Sequence, residues 1–237
     1  MSRLIIFDFD GTLADTWRDI ATALNRALRD AHLPVATGPE VRHWIGEGVH
    51  RLIEHAVPAA ASSPDRIAAL VAEFRAHYGR CCTDTTVLYP GMADCLDALA
   101  GEYLAILSNK PTRFVLAIAE RLGIAARFAA IAGGDTVPVT KPDPATVRHL
   151  VRTVGMVPDD IWMIGDSAID VATGRAAGAH TIGCTWGMRE VGELRAAGVD
   201  YVVDAPAEIA AIIARTAPPG PPASFDNGVL NRARKAP

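Results

Sequence analysis

The segment "LIIFDFDGT", residues 4–12, constrains the fold more than any other part of the chain. Leu4, Ile5, Ile6 and Phe7 follow one another without alternating with polar residues. A strand with one wet face alternates, whereas one buried on both faces does not, and strands inside parallel sheets are of the second kind. Parallel strands need long crossovers, usually helices. The sequence supplies them. Apolar runs at 103–107, 128–132, 161–165, 180–184 and 201–203 are separated by helical patterns near 91–100, 111–123, 143–155 and 168–178. Strands alternating with helices predict an α/β fold with a parallel sheet covered on both faces.

One block breaks this alternation. Between 16 and 84 no convincing strand occurs. Ile20, Ala23, Leu24, Ala27 and Leu28 have helical spacing. A second helical stretch is expected from about Pro39, broken by "GEG" at 46–48, and a third over about 64–80. The expected organisation is a core segment at 1–14, an all-helical insert at 15–86, the rest of the core at 87–215, and a Pro-rich flexible tail at 216–237.

Composition excludes several classes of function. The net charge is -4 with no block of like charges, so no basic stripe for nucleic acid is expected. No apolar run reaches the roughly 18 residues of a spanning helix, so no membrane partner is expected either. The N-terminus runs straight into a strand and Cys81, Cys82, Cys95 and Cys184 form no C-x-x-C pattern. A cytoplasmic protein with reduced, mostly buried thiols is the expectation. Monomer and homodimer both stay open.

In open α/β sheets, ligands bind outside the carboxyl ends of the strands. The polar residues expected there are Asp8, Asp10 and Gly11 after the first strand, and Ser108 and Asn109 after the second. Lys141 follows the third, in "TKPDP", and Asp166 and Asp170 follow the fourth. This set suits phosphoryl transfer. A carboxylate attacking a phosphate dianion meets repulsion, which a divalent metal held by Asp8 and Asp166 offsets. Lys141 neutralises further charge and Ser108 donates a hydrogen bond to the phosphate. Gly11 permits a tight turn whose N–H groups face the phosphate. Asp10 lies on the same side as Asp8 while the chain stays extended, and can protonate the leaving oxygen and then activate water.

Each residue also has a plainer reading. Asp-x-Asp-Gly can be a simple turn, Ser108 a helix cap, Lys141 a surface charge and Asp170 a helix-turn acid. A calcium loop starting at Asp8 would need Gly and Glu at its sixth and twelfth positions, where the chain has Leu13 and Asp19. The case for Lys141 rests on its place before Pro142 and on scarcity: the chain has 3 lysines against 20 arginines.

Taken together, "DFDGT", "LSN", "TKPDP" and "GDSAID" resemble the four motifs of the haloacid dehalogenase-like superfamily, in order, over residues 3 to 210. The resemblance implies a Rossmann-like core with a helical cap of the type one arrangement inserted after the first motif. It further implies an aspartyl-phosphate on Asp8, with Mg2+ bound by Asp8, the backbone carbonyl of Asp10 and Asp166, and supported by Asp170. Ser108, Asn109, Lys141 and Gly11 would hold the phosphate. Dehalogenases of the superfamily lack the second acid, here Asp10. Phosphonoacetaldehyde hydrolases need a cap lysine, and residues 16–84 contain none. Phe9 and Ser108 depart mildly from the usual Leu and Thr.

"WIGEGVHRLI" (44–53) is similar to the cap loop of the phosphoglycolate phosphatase branch. It suggests Gly46, Gly48, His50 and Arg51 as the substrate loop. Arg18, Arg42 and His43 are further candidates for a cap cation that would bind a second anion. The expected function is a Mg2+-dependent phosphatase of a small phosphorylated acid such as 2-phosphoglycolate. Alternatives are a phosphomutase like β-phosphoglucomutase, a pyrophosphatase or nucleotidase, or a non-catalytic phosphate-binding switch. The short linkers near 13–16 and 84–88 are candidate hinges.

Overall fold

The computed structural model describes residues 2–216. The strands are β1 (Arg3–Phe7), β2 (Ala14–Asp15), β3 (Val87–Leu88), β4 (Tyr103–Leu107), β5 (Ala130–Ala132), β6 (Asp160–Gly165), β7 (His180–Cys184) and β8 (Tyr201–Val203). Six of them form one sheet in the order β5-β4-β1-β6-β7-β8, and every pairing in it is parallel. β1 is central, with Phe7 opposite Ile106 on one side and Ile164 on the other.

Both faces of β1 are buried, as its lack of alternation predicts. Leu4 to Phe7 are each 0 % exposed. Ile5 and Phe7 point into one apolar cluster, while Leu4 and Ile6 point into a second one with Val147, Leu150 and Val151. Each such side chain contributes roughly 1.5–3 kcal/mol by leaving water. The chain direction of crossovers reverses at β1, between β4 and β6, and this switch point opens the crevice above its carboxyl end.

The insert is all helical: α1 (Trp17–Asp30), α2 (Gly38–Trp44), α3 (Val49–Ala56) and α4 (Pro64–Cys81). α1 packs along α4. Its two connections run side by side as the antiparallel ribbon β2–β3, with Ala14 opposite Leu88. Asp19, 2 % exposed, ties them further. Its carboxylate accepts from the backbone N–H and the hydroxyl of both Thr85 and Thr86, at 2.6–3.1 Å. The segments read as hinges are therefore a paired and pinned double crossing.

The remaining helices are α5 (Met92–Ala98), α6 (Thr112–Arg121), α7 (Ala145–Val154), α8 (Ala168–Ala176), α9 (Val191–Ala196) and α10 (Pro206–Arg215). The last two go beyond the sequence reading. α9 is six residues long and buries only Leu194, and α10 has its buried Ile209 and Ile213 diluted by alanines. All four cysteines are free and buried. No described helix is long and apolar enough to cross a membrane. Most of the expected Pro-rich tail, from 217 onward, lies outside the described residues.

Candidate active site

β1 delivers the first acid. The Asp8 N–H donates to the carbonyl of Ile164 (2.8 Å), continuing the ladder one residue past the strand. The chain then turns: Leu13 and Ala14 donate to the Phe9 carbonyl, and the Gly11 N–H donates to Ala14. Gly11 has φ +87°, and a Cβ there would lie 2.3 Å from Oδ2 of Asp166. Only glycine satisfies both conditions, so this turn lets the first and fourth motifs approach.

Lys141 is the centre of charge. Its ammonium is 2.8 Å from Oδ1 of Asp8 and 2.6 Å from Oδ1 of Asp170, and all three side chains are buried. Asn109 fixes its backbone by accepting from the Lys141 N–H at 2.9 Å. Asp170 spends its other oxygen on Ser167, whose hydroxyl donates at 2.6 Å. Asp166 accepts from the Met188 N–H at 2.6 Å. Asp8, Asp166 and Asp170 bring carboxylate oxygens within 4.8 Å of one another.

The energetics of this cluster point to a cation. Burial pushes Asp8 up to about 7; Lys141 opposes the shift, while Asp170 and Asp10 add to it. Burial, then Asp170 and Asp8, hold Asp166 well above the usual carboxylate range. Burial opposes the charge on Lys141, but Asp170 and Asp8 outweigh it and raise its pKa. With three carboxylates ionised against one ammonium, two negative charges are in excess. A divalent ion with hard-oxygen preference fits that balance and donor set. Both oxygens of Asp170 are occupied, so Asp8 and Asp166 are the ligands best placed to hold it.

Asp10 is kept apart from this cluster. Its Oδ1 accepts from the Thr16 hydroxyl at 2.5 Å and from Lys110 Nζ at 2.9 Å. Lys110 is 7 % exposed. Two acids two residues apart thus have separate lysines.

A cavity of about 40 Å3 lies between the sheet edge and the insert. Its core wall is Asp8, Asp10, Ser108, Asn109 and Lys110, and its insert wall includes Ile20, Ile45, Gly46, Gly48, Val49, Leu52, Phe74 and Tyr78. Gly46 and Gly48 reach the site as expected, and the Gly46 carbonyl accepts from Asn109 Nδ2 at 3.1 Å. Asn109 thus spans Lys141 and the insert loop, leaving Ser108 as the neutral donor that faces the cavity from the end of β4.

The structure places His50 and Arg51 elsewhere. Both lie on the outer side of α3, where His50 meets Glu54 and Arg51 meets Glu47 and Glu54. Their side chains are 64 % and 57 % exposed, and neither lines the cavity. Exposed Arg18 pairs with Asp15. Arg42 donates to the Gly187 carbonyl (3.1 Å), and Arg189 donates to Ile45 (2.9 Å) and meets His43. These arginines fasten the insert to the loop after β7. The cation that lines the cavity is Lys110, from the core. The argument from scarcity that singled out Lys141 applies equally to Lys110, the residue next to Asn109.

Comparisons with known proteins agree with this architecture. The sequence profile of haloacid dehalogenase-like hydrolases matches residues 5–184. A phosphoglycolate phosphatase of Pseudomonas putida is 35 % identical over 209 residues, covering 86 % of this chain and 77 % of its own. One from Haemophilus influenzae is 33 % identical over 219 residues, covering 89 % and 98 %. The crystal structure of a protein from Haemophilus somnus, described as a predicted phosphoglycolate phosphatase, superposes with a TM-score of 0.83. It is 33 % identical and covers 90 % of this chain and 98 % of its own.

Proposed function

The chain belongs to the haloacid dehalogenase-like hydrolases, and from that premise we propose that it is a Mg2+-dependent phosphatase of a small phosphorylated acid, with 2-phosphoglycolate as the favoured substrate. The observation that carries the reading is the pair of acids at one sheet edge, each with its own lysine: buried Asp8 on Lys141, and part-buried Asp10 on Lys110 and Thr16. A two-step phosphoryl transfer needs two carboxylates at one phosphate, one to attack phosphorus and one to move the proton.

Asp8 is the nucleophile. Its carboxylate forms a bond to phosphorus as the bond to the ester oxygen breaks, and Asp10 gives its proton to the departing oxygen. Asp10, now ionised, takes a proton from water as the water oxygen attacks the phosphorus of the aspartyl-phosphate. The P–O bond to Asp8 breaks, phosphate leaves, and both acids return to their starting states. Lys141 neutralises phosphate charge from the side of Asp170, and Ser108 donates to a phosphate oxygen. Mg2+ held by Asp8, Asp166 and the Asp10 carbonyl would supply charge neutralisation for the attack. Asp170 holds Lys141 in place for both steps.

Two things support a small acid as substrate. The relatives above are phosphoglycolate phosphatases by name. The insert wall of the cavity offers apolar side chains and glycine backbone, with few polar groups to meet the hydroxyls of a hexose or a nucleoside. The test is phosphate release with Mg2+ from 2-phosphoglycolate, glucose 1-phosphate, a nucleoside monophosphate and pyrophosphate. Preference for 2-phosphoglycolate supports the reading. Preference for any of the others discards the substrate and keeps the chemistry, and isomerised sugar phosphate would make the protein a mutase.

A further inference from the structure

We propose that Lys110 and Tyr78 form the specificity pair of the site: the Lys110 ammonium and the Tyr78 hydroxyl together bind a carboxylate on the leaving group, one carbon away from the ester oxygen. The inference rests on the phosphatase reading above and extends it to the residues that choose the substrate.

Tyr78, on α4, is 1 % exposed and lines the cavity, yet its hydroxyl has no hydrogen-bond partner. A buried hydroxyl without a partner is costly, and such groups in native structures call for an explanation. A ligand that accepts from it is one. Burial, with Asp10 next in effect, holds the phenol well above its ordinary range, so it remains a donor at neutral pH. Elsewhere the insert wall presents apolar side chains and the backbone of Gly46 and Gly48.

Lys110 approaches from the opposite wall. Its Nζ lies 4.7 Å from the centre of the Tyr78 ring and 2.9 Å from Oδ1 of Asp10. It is the one cation among the residues lining the cavity. Asp10 marks where the leaving oxygen must sit to receive a proton. A carboxylate one methylene from that oxygen is therefore brought beside the same ammonium, against the tyrosine that Lys110 overlies. A longer acid would push its carboxylate into the apolar wall, and an uncharged alcohol would leave both donors unanswered. Sites built around such donors reject analogues that lack the matching acceptor.

The experiment compares kcat/KM for 2-phosphoglycolate with that for ethyl phosphate, which has a similar leaving group without the carboxylate. It uses the full chain with Mg2+, as wild type, Tyr78→Phe and Lys110→Met. The wild-type ratio should be far above one. Tyr78→Phe should lower the ratio ~10-fold, as loss of one hydrogen bond to a charged group does. It should do so at a Tm equal to or above wild type, because the lost hydroxyl had no partner. Lys110→Met should lower the ratio ~100-fold, the scale of a lost charge pair in a buried site, although both substrates also lose rate through Asp10. Inhibition by glycolate should weaken in parallel in Tyr78→Phe. If both variants slow the two substrates equally, Lys110 acts only on Asp10 and Tyr78 only packs, and the proposal is overturned while the substrate reading stands. A wild-type ratio near one overturns the substrate reading and the proposal with it.

Discussion

The core wall of the cavity and the wall contributed by the helical insert hold polar groups in opposite ways. On the core side Asp8 and Asp10 are each paired with a buried lysine, at 2.8 and 2.9 Å. On the insert side Ile20, Ile45, Val49, Leu52 and Phe74 are apolar, and the Tyr78 hydroxyl stands without a partner. The difference assigns the two walls different work. The core wall is preorganised for charge transfer, where displaced groups cost rate. The insert wall excludes water and sets the size of what fits, a task that needs shape more than charge.

The largest effect should come from the core wall. Asp8→Asn should reduce kcat by ~10^4-fold or more, about 5.5 kcal/mol of transition-state stabilisation, while Tm does not fall. Near wild-type turnover by this variant would break the comparison outright. Lys141→Met leaves Asp8 and Asp170 buried without their cation. Urea unfolding should show a loss of about 3–5 kcal/mol, the cost of removing one partner from a buried pair. Added Mg2+ should recover part of it, because the ion binds only the folded state. An unchanged midpoint would mean that the carboxylates are not held by Lys141.

The insert wall should respond in stability and selectivity more than in chemistry. Leu52→Ala, at a residue 4 % exposed, should cost about 2–5 kcal/mol, at the lower end because it opens into an existing space. The enlarged cavity should also raise activity on glucose 1-phosphate relative to 2-phosphoglycolate, and a preference that stays put would deny the insert its sizing role. The smallest effect belongs to the outer face of α3. Arg51→Ala should change kcat/KM less than about twofold and leave the unfolding midpoint nearly where it was, as for an exposed ion pair. A larger loss of activity would restore Arg51 to the substrate loop.

The same contrast governs what could be read without a structure. Asp8, Asp10, Asp166 and Lys141 are legible because apolar runs mark strand ends, and a parallel sheet gathers those ends at one edge. The insert is legible as helices, but its inner face is not, since apolar spacing does not say which helix meets the core. Part of it was within reach. On α3, Val49, Leu52, Ile53 and Ala56 lie three and four residues apart and mark the inward side, which turns His50, Arg51 and Glu54 outward. Proximity to Gly48 in sequence is the weaker guide. Tyr78 carries no such mark: on α4 it is one apolar position among Ile67, Leu70, Val71 and Phe74, and only its unpartnered hydroxyl sets it apart. Asp19 shows the same limit, because its four donor groups on Thr85 and Thr86 lie more than sixty residues away.

The central claim is that phosphoryl transfer passes through Asp8, and the most direct measurement is to trap the acyl phosphate. The full-length protein turning over 2-phosphoglycolate with Mg2+ is quenched in denaturant, reduced with borohydride and digested for mass spectrometry. The account predicts that the peptide holding residues 4–12 has Asp8 reduced to its alcohol, only when substrate and Mg2+ are both present. Reduction at Asp10, or no reduction at Asp8 while phosphate is being released, would contradict it.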